Sequence, residues 1–398
     1  MNDQANLMNE DGSRSTDRRS FLRWIGAAGI GAAGIGAAGI TARTGAIASP
    51  LLLRASTGTG TGESNARLSS NESPYGLCDA ARRAIADGLD RANRYPIEEY
   101  EELIDALSEK HDLDPARIHP GAGSTELLRA AVGAYAAGGR LIAADPTYED
   151  PFYYSPPFDV TQVRVPLDAD GGHDLPAMER AASAGARLVY ICNPNNPTGT
   201  IVGGAQLEPF IRRVSRKALI LVDEAYHDYI EDKRYRSMEP LVREGLPVIV
   251  TRTFSKIHGM AGLRLGYALC GTKELADRLN AHLTFAGASV VAIRASLASL
   301  ADVEFQSYCR KQNTKARRFL SAALEERGYR VFPSHTNFVM FRLGTDVREL
   351  KKAMAARGVR IGRPFPPMTD HCRVSLGTLA ELERFVGELD RWRESRAA

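Results

Sequence analysis

The 398-residue sequence has few cysteines, little net charge and no hydrophobic run long enough to span a bilayer. Its five cysteines show no CxxC pairing and no regular spacing, so no metal-binding motif or disulfide pairing can be read from them. The formal net charge is +3, a near balance that argues against nucleic acid or an anionic membrane as the main partner. The apolar tract at residues 25–40 has 16 residues, whereas a spanning helix needs about 20.

The first 48 residues have the order of features found in a bacterial export signal. TDRRSFLRW, residues 16–24, resembles the twin-arginine motif through Arg18 and Arg19. A Gly/Ala/Ile tract built on a GAAGI repeat follows, and Ala46-Ile47-Ala48 matches an A-x-A cleavage site. We therefore expect a signal peptide at 1–48, a flexible tether at 49–67, a periplasmic location and membrane contact only during export. The alternative is a low-complexity linker.

Short apolar runs alternate with helical patterns through the middle of the chain. The runs are typical of buried strands and lie at Leu141–Ala144, Leu188–Cys192, Leu219–Val222 and Val248–Thr251. This alternation predicts an α/β fold whose large sheet is mostly parallel, with helices on both faces. We expect residues 91–328 to form the large domain, and residues 68–90 with 329–398 to form a small α/β domain.

One lysine, Lys256, follows a predicted strand in the stretch TRTFSKIHGMAGLRLGY, residues 251–267. Desolvation at the carboxyl end of a strand lowers the pKa of a lysine. Its neutral amine is then nucleophilic and can attack an aldehyde. The hydroxyls of Thr253 and Ser255 beside it can bind phosphate oxygens, and Arg264 can neutralise the same dianion. Without this context, a Ser-Lys pair most often contains only a solvated loop lysine.

A second segment adds donors for the same phosphate. GAGSTELL, residues 121–128, predicts a Gly-rich turn that opens a helix. Gly123, Ser124 and Thr125 would then present backbone amides at the helix N-terminus, where anions bind. The same pattern also occurs as an ordinary helix cap. Its interpretation as a phosphate-binding turn therefore depends on the segment that contains Lys256.

Three more motifs follow in order: LVYICNPNNPTGT at 188–200, ALILVDEAYHDY at 218–229 and HCRVSLGT at 371–378. Together with the Lys256 segment they resemble the fold-type I, pyridoxal-phosphate-dependent aminotransferases of classes I and II. The strings SSNESPYG, NRYP, GAGSTELL and HTNFVMFR make the histidinol-phosphate aminotransferase branch the nearest. The resemblance runs from about Leu68 to the C-terminus and implies that residues 91–328 bind the cofactor.

The resemblance implies pyridoxal 5'-phosphate as the cofactor and Lys256 as the catalytic residue that binds it covalently. Asp223 would keep the cofactor's ring nitrogen protonated, although an Asp after a strand also commonly caps the next helix. Tyr226 and Asn196 would bond the cofactor's phenolic oxygen.

Further residues carry roles only through the resemblance. Tyr148 would stack on the cofactor ring. Tyr95 would reach the phosphate in the neighbouring subunit's site, which implies a homodimer with shared active sites. Arg373 would hold the substrate's α-carboxylate through a bidentate pair. The other residues assigned to the substrate side are Asn71, Tyr75, Asn337 and Arg363.

The sequence departs from its nearest relatives at residues 358–364, GVRIGRP. Histidinol-phosphate enzymes usually have Gly-(Ile/Val)-x-Val-Arg here, and in this chain the arginine is displaced by one residue to Arg363. The resemblance implies transfer of an amino group between an amino acid or histidinol phosphate and a 2-oxo acid, and because of this displacement we expect measurable transamination of ordinary amino acids, aromatic or otherwise. The alternatives are a lyase, decarboxylase or oxidase acting on an amino acid on the same scaffold, and a non-catalytic cofactor- or amine-binding protein.

Overall fold

The computed structural model describes residues 65–397, so the predicted signal peptide and most of the predicted tether lie outside the described residues. The strands in this range are β1 (Ala66–Leu68), β2 (Ile118–Gly121), β3 (Arg140–Asp145), β4 (Thr161–Pro166), β5 (Ala186–Cys192), β6 (Leu219–Asp223), β7 (Val248–Thr253), β8 (Gly266–Cys270), β9 (Phe338–Arg342), β10 (Val359–Ile361) and β11 (His371–Ser375). The α-helices in this range are Asp79–Gly88, Ile97–His111, Ser124–Ala131, Asp150–Tyr153, Leu175–Ser183, Gly204–Val214, Glu239–Arg243, Lys273–Asn280, Val290–Ala301, Val303–Glu325, Val347–Ala356 and Leu379–Ala397.

Seven strands form the main sheet in the order β2-β8-β7-β6-β5-β3-β4. The pairs from β7 to β4 are all parallel, and β8 runs antiparallel to both of its neighbours, β7 and β2. The four strands predicted from the sequence are β3, β5, β6 and β7. The α/β fold class with a mostly parallel sheet is therefore confirmed.

The main sheet is covered on both faces, which explains why its strands are apolar without interruption. In β6, Ile220 and Val222 join one apolar cluster, while Leu219 and Leu221 join another. Successive side chains of a strand point to opposite faces, so every residue of the LILV run is buried. Asp223 ends this strand and is itself buried.

A further apolar cluster forms around β1, β9, β10 and β11 together with the helices Val347–Ala356 and Leu379–Ala397. β9 and β11 pair antiparallel, and β1 pairs in parallel with β10. Leu68 lies in this cluster, whereas Ala81 of helix Asp79–Gly88 lies in a cluster of the main sheet. The predicted segment 68–90 therefore contributes to both cores, and its assignment to a small domain stays a prediction. β1 begins at Ala66, so the last two residues of the predicted tether, 66 and 67, belong to this strand.

The described residues contain no helix with the length and hydropathy needed to cross a bilayer. All five cysteines are buried free thiols.

Candidate active site

A cavity of about 340 Å³ opens at the carboxyl ends of β5, β6 and β7, whose last residues Cys192, Asp223 and Thr253 contribute to its wall. In parallel sheets, ligands bind outside the carboxyl ends of the strands. Most residues predicted from the sequence line this cavity: Asn71, Ser124, Thr125, Tyr148, Asn196, Asp223, Tyr226, Thr253, Ser255, Lys256, Arg264, Arg363 and Arg373.

Four predicted residues do not line the cavity. Gly123 lies directly behind Arg264, and Asn337 reaches the site through Asn71, whose carbonyl accepts a bond from Asn337 Nδ2 at 2.9 Å. Tyr75 packs edge-on against the ring of Tyr308. Tyr95 is 75% exposed and lies on the surface.

Lys256 follows the loop that leaves β7, and its amine faces the cavity. Its Nζ donates to the backbone carbonyl of Asn71 at 3.3 Å and lies 5.5 Å from the centre of the Tyr226 ring. The pKa of Lys256 is lowered to about 8, chiefly by burial and then by the nearby Arg373 cation, while the Asp223 carboxylate acts in the opposite direction. This lysine therefore has the accessible neutral amine that attack on an aldehyde requires.

Asp223 presents a buried carboxylate at the end of β6. Its Oδ2 accepts from the Tyr190 hydroxyl at 3.1 Å, and its Oδ1 accepts from the backbone N–H of Ala225 at 3.1 Å. The pKa of Asp223 is raised to about 6, because the effect of burial exceeds the opposing effect of these two hydrogen bonds. A buried carboxylate with no cation bonded to it is stabilised by a protonated ring nitrogen placed in the cavity.

A hydrogen-bonded chain connects Tyr226 to Arg373. The Tyr226 hydroxyl accepts from Asn71 Nδ2 at 3.1 Å and from Asn196 Nδ2 at 3.3 Å. Arg373 Nη1 donates to Asn196 Oδ1 at 2.6 Å, and its Nη2 donates to the Ser69 carbonyl at 2.8 Å. Burial raises the pKa of Tyr226 well above its usual range, so its hydroxyl keeps its proton and can donate it to a cofactor oxygen.

Three side chains and one backbone turn form a cup for an anion. Thr253 Oγ1 donates to Ser255 Oγ at 3.0 Å, and Arg264 Nη1 donates to the same oxygen at 3.2 Å. A Cβ on Gly123 would lie 2.3 Å from Arg264 Nη2, so only glycine leaves room for that guanidinium beside the helix that begins at Ser124. Among the described residues Arg264 forms no ion pair, which leaves its charge available to a phosphate dianion. The Lys256 amine, the Asp223 carboxylate and this anion-binding site together match the aldehyde, the ring nitrogen and the phosphate of pyridoxal phosphate.

The structure adds residues that the sequence analysis missed. Asp150 Oδ2 accepts from the Tyr148 hydroxyl at 2.7 Å and from Thr125 Oγ1 at 2.9 Å, which fixes the two predicted cofactor contacts relative to each other. Phe365 lines the cavity between the two substrate-side arginines. Asp150 ends the string DPTYED, residues 145–150, which also contains Tyr148, so the sequence offered a reason to consider it. Phe365 lies in an irregular segment, where no sequence motif points to a function.

The two substrate-side arginines differ in their surroundings. Arg373 is buried, has an unpartnered Nε and forms no ion pair with a carboxylate in the described part of the chain. Arg363 is about half exposed, and its Nη2 donates to Glu149 Oε2. Of the two substrate-side arginines, the inner one therefore has no counter-ion among the described residues, and the outer one is paired with Glu149.

Comparison with known proteins places this geometry in a family. The family model described as aminotransferase class I and II matches residues 65–389. A histidinol-phosphate aminotransferase from Shouchella clausii is 32% identical over 339 residues, covering 83% of this chain and 91% of that protein. An aromatic amino acid aminotransferase from Mycobacteroides abscessus is 37% identical over 328 residues, covering 82% of this chain and 93% of that protein.

A solved structure agrees at the level of fold and cofactor. The crystal structure of histidinol-phosphate aminotransferase from Sinorhizobium meliloti in complex with pyridoxal-5'-phosphate has a TM-score of 0.75 and 27% sequence identity, covering 81% of this chain and 89% of that chain. The predicted fold class, enzyme class and cofactor are confirmed. The chain belongs to the aminotransferase class I and II family and is a fold-type I, pyridoxal-phosphate-dependent aminotransferase.

Proposed function

We propose that this aminotransferase takes free amino acids, aromatic ones included, as amino donors and a 2-oxo acid as acceptor. The observation that carries the proposal is the Arg373 guanidinium, which is buried beside the cavity and has no carboxylate partner among residues 65–397. Relatives named for histidinol phosphate and for aromatic amino acids match this chain over similar lengths. The family match therefore does not distinguish free amino acids from histidinol phosphate as donors. The charges around the cavity are the basis for choosing between them.

Arg373 is suited to an α-carboxylate. The pKa of Arg373 is lowered to about 10, chiefly because burial removes the hydration of the cation, and the Arg363 cation acts in the same direction. A buried unpaired cation is costly, and a substrate carboxylate supplies the missing charge in the planar geometry that a guanidinium matches. Histidinol phosphate has no α-carboxylate. A free amino acid uses this arginine in both half-reactions.

When bound, pyridoxal phosphate supplies an aldehyde for the amino group and a ring that accepts the electron pair left after removal of the α-proton. We assign the proton transfer at the substrate α-carbon to the Lys256 amine. Asp223 would hold a proton at the ring nitrogen, and Tyr226 with Asn196 would bond the phenolic oxygen. Arg373 orients the substrate by its α-carboxylate so that the α-proton faces the lysine.

Kinetics on the purified holoenzyme test the donor proposal. We expect measurable kcat/KM for phenylalanine, tyrosine and other free amino acids with 2-oxoglutarate, with the keto acid product identified by mass. A kcat/KM for histidinol phosphate more than about a hundredfold above that of every free amino acid, equal to roughly 2.7 kcal/mol, would refute it. Products other than the keto acid, such as an amine or an alkene, would instead support one of the lyase or decarboxylase alternatives.

We also propose that the enzyme is a homodimer in which Tyr95 reaches the neighbouring subunit's cavity. Tyr95 is 75% exposed and its ring lies 6.4 Å from that of Phe285, which is 38% exposed. Large exposed aromatic side chains in contact are typical of interaction surfaces. Sedimentation should give twice the monomer mass, and Tyr95→Ala should weaken cofactor binding although this residue lies outside the cavity of its own chain.

Export by the twin-arginine route is a separate proposal that rests on the sequence of residues 1–48. This route carries folded proteins, which suits an enzyme that acquires its cofactor in the cytoplasm. Replacement of Arg18 and Arg19 by lysines should retain the protein in the cytoplasm, and the exported chain should begin near Ser49. A periplasmic chain that still begins at Met1 would contradict the cleavage site.

A further inference from the structure

The outer arginine of the cavity is held by a carboxylate of the protein itself. Arg363 follows β10 by two residues, and its Nη2 donates to Oε2 of Glu149, which directly follows the cavity residue Tyr148. The side chains of Arg363 and Glu149 are 46% and 47% exposed. Exposed ion pairs of this kind contribute little to stability, so this one can exchange partners without disturbing the fold.

One aromatic ring brings the two arginines into the same part of the cavity. The guanidinium carbon of Arg363 lies 4.4 Å from the centre of the Phe365 ring, and that of Arg373 lies 4.7 Å from the same point. Phe365 is buried, so it holds its position when the exposed Arg363 changes partner. A ligand with its α-carboxylate on Arg373 therefore extends along Phe365 toward Arg363.

An aminotransferase binds its donor and its acceptor in turn in one cavity. An uncharged side chain placed beside an unpaired Arg363 would desolvate that cation at a cost. With Glu149 in place the cation is already neutralised, and the uncharged side chain meets the Phe365 ring. A substrate with a second carboxylate can instead replace Glu149 as the partner of Arg363.

We propose that Glu149 is an exchangeable counter-ion of Arg363 that determines which substrates the cavity accepts. It pairs with Arg363 when the substrate has a neutral side chain, and it gives way to the distal carboxylate when the substrate is a dicarboxylic amino or 2-oxo acid. This proposal rests on the proposed function only in placing the α-carboxylate on Arg373. Glu149 thereby acts as a specificity residue that competes directly with the acidic substrate.

Calorimetric titration of the holoenzyme with glutarate and with butyrate tests this competition without turnover. Glu149→Gln should tighten glutarate binding by about fivefold, the size expected when an exposed competing ion pair is removed. Butyrate has no distal carboxylate, so Glu149→Gln should change the affinity for butyrate by less than about 2.5-fold, half of the fold-change expected for glutarate. Glu179→Gln is the matched control, because it breaks another exposed arginine–glutamate pair, with Arg213, on a different surface.

A double-mutant cycle separates exchange at Arg363 from a general electrostatic effect. Arg363→Ala should weaken glutarate binding, and adding Glu149→Gln to that variant should produce no further gain. If Glu149→Gln improves butyrate as much as glutarate, or still improves glutarate without Arg363, the exchange is refuted. Failure of free amino acids as donors would refute the proposed function and leave these binding ratios as an independent result.

Discussion

The pH dependence of cofactor capture by the cofactor-free protein is set by Lys256. The pKa of this amine is lowered from 10.5 to about 8, first by burial and then by the Arg373 cation. The neutral amine is the form that attacks an aldehyde, so the rate of pyridoxal phosphate capture should rise with pH and level off above about 8. An ordinary lysine would give a rate that is still rising at pH 10.

The lowered pKa of Lys256 determines how much neutral amine is present at a given pH. At pH 7 an amine with a pKa near 8 is roughly 9% neutral, whereas one with a pKa of 10.5 is about 0.03% neutral. The pocket therefore increases the reactive fraction roughly 300-fold at neutral pH. Stopped-flow absorbance of the cofactor at a series of pH values measures it, with free N-acetyl-lysine amide as the reference amine.

Two variants should shift the midpoint pH of the cofactor-capture rate in opposite directions. Arg373→Met removes a cation that lowers the pKa of Lys256, so the midpoint should shift upward. Asp223→Asn removes a carboxylate that raises it, so the midpoint should shift downward. A wild-type midpoint near 10, or a downward shift in Arg373→Met, would refute the electrostatic account.

Three further substitutions test the site. Lys256→Ala should abolish turnover with an unchanged circular dichroism spectrum, and borohydride should label no other lysine. Asp223→Ala should still bind cofactor but lose several kcal/mol of transition-state stabilisation, comparable to the roughly 3–5 kcal/mol for breaking a buried charge pair; unchanged α-proton exchange by NMR would contradict this role. Gly123→Ala should cost about 1–3 kcal/mol of stability, because its φ of +79° strongly favours glycine, and should weaken cofactor binding through the clash with Arg264. Gly138→Ala, with a φ of +63° and no atom within 4 Å of the added carbon, should leave cofactor affinity unchanged.

The parts of the fold predicted from the sequence are those that local patterns determine. Strands such as β6 are continuous apolar runs because both faces are covered, and their carboxyl ends carry Asp223 and the loop to Lys256. The strand order and the antiparallel direction of β8 could not be predicted from the sequence, because strand pairing depends on contacts between distant segments. No local signal marks β8 as running against its neighbours.

The contacts that complete the site were missed for the same reason. Tyr190 is one apolar strand residue among several in LVYIC, and its hydroxyl bond to Asp223 exists only because β5 and β6 pair in register. Ser375 bonds both the backbone N–H and the side chain of Asn71, which lies 304 residues earlier. Chemistry-bearing residues in recognisable motifs could be predicted, and the residues that hold them in place could not.

Asn71 joins the beginning and the end of the described chain at the cavity. Its backbone has a φ of +55°, its carbonyl accepts from Lys256 and Asn337, and its amide groups bond Tyr226 and Ser375. Arg373 and Ser375 are synthesised well after Lys256, so a nascent chain contains the lysine before it contains these two groups that surround it. A chain truncated before β11 would therefore lack both Arg373 and the Ser375 bonds that hold Asn71, and its cavity would be incomplete even with every strand of the main sheet present.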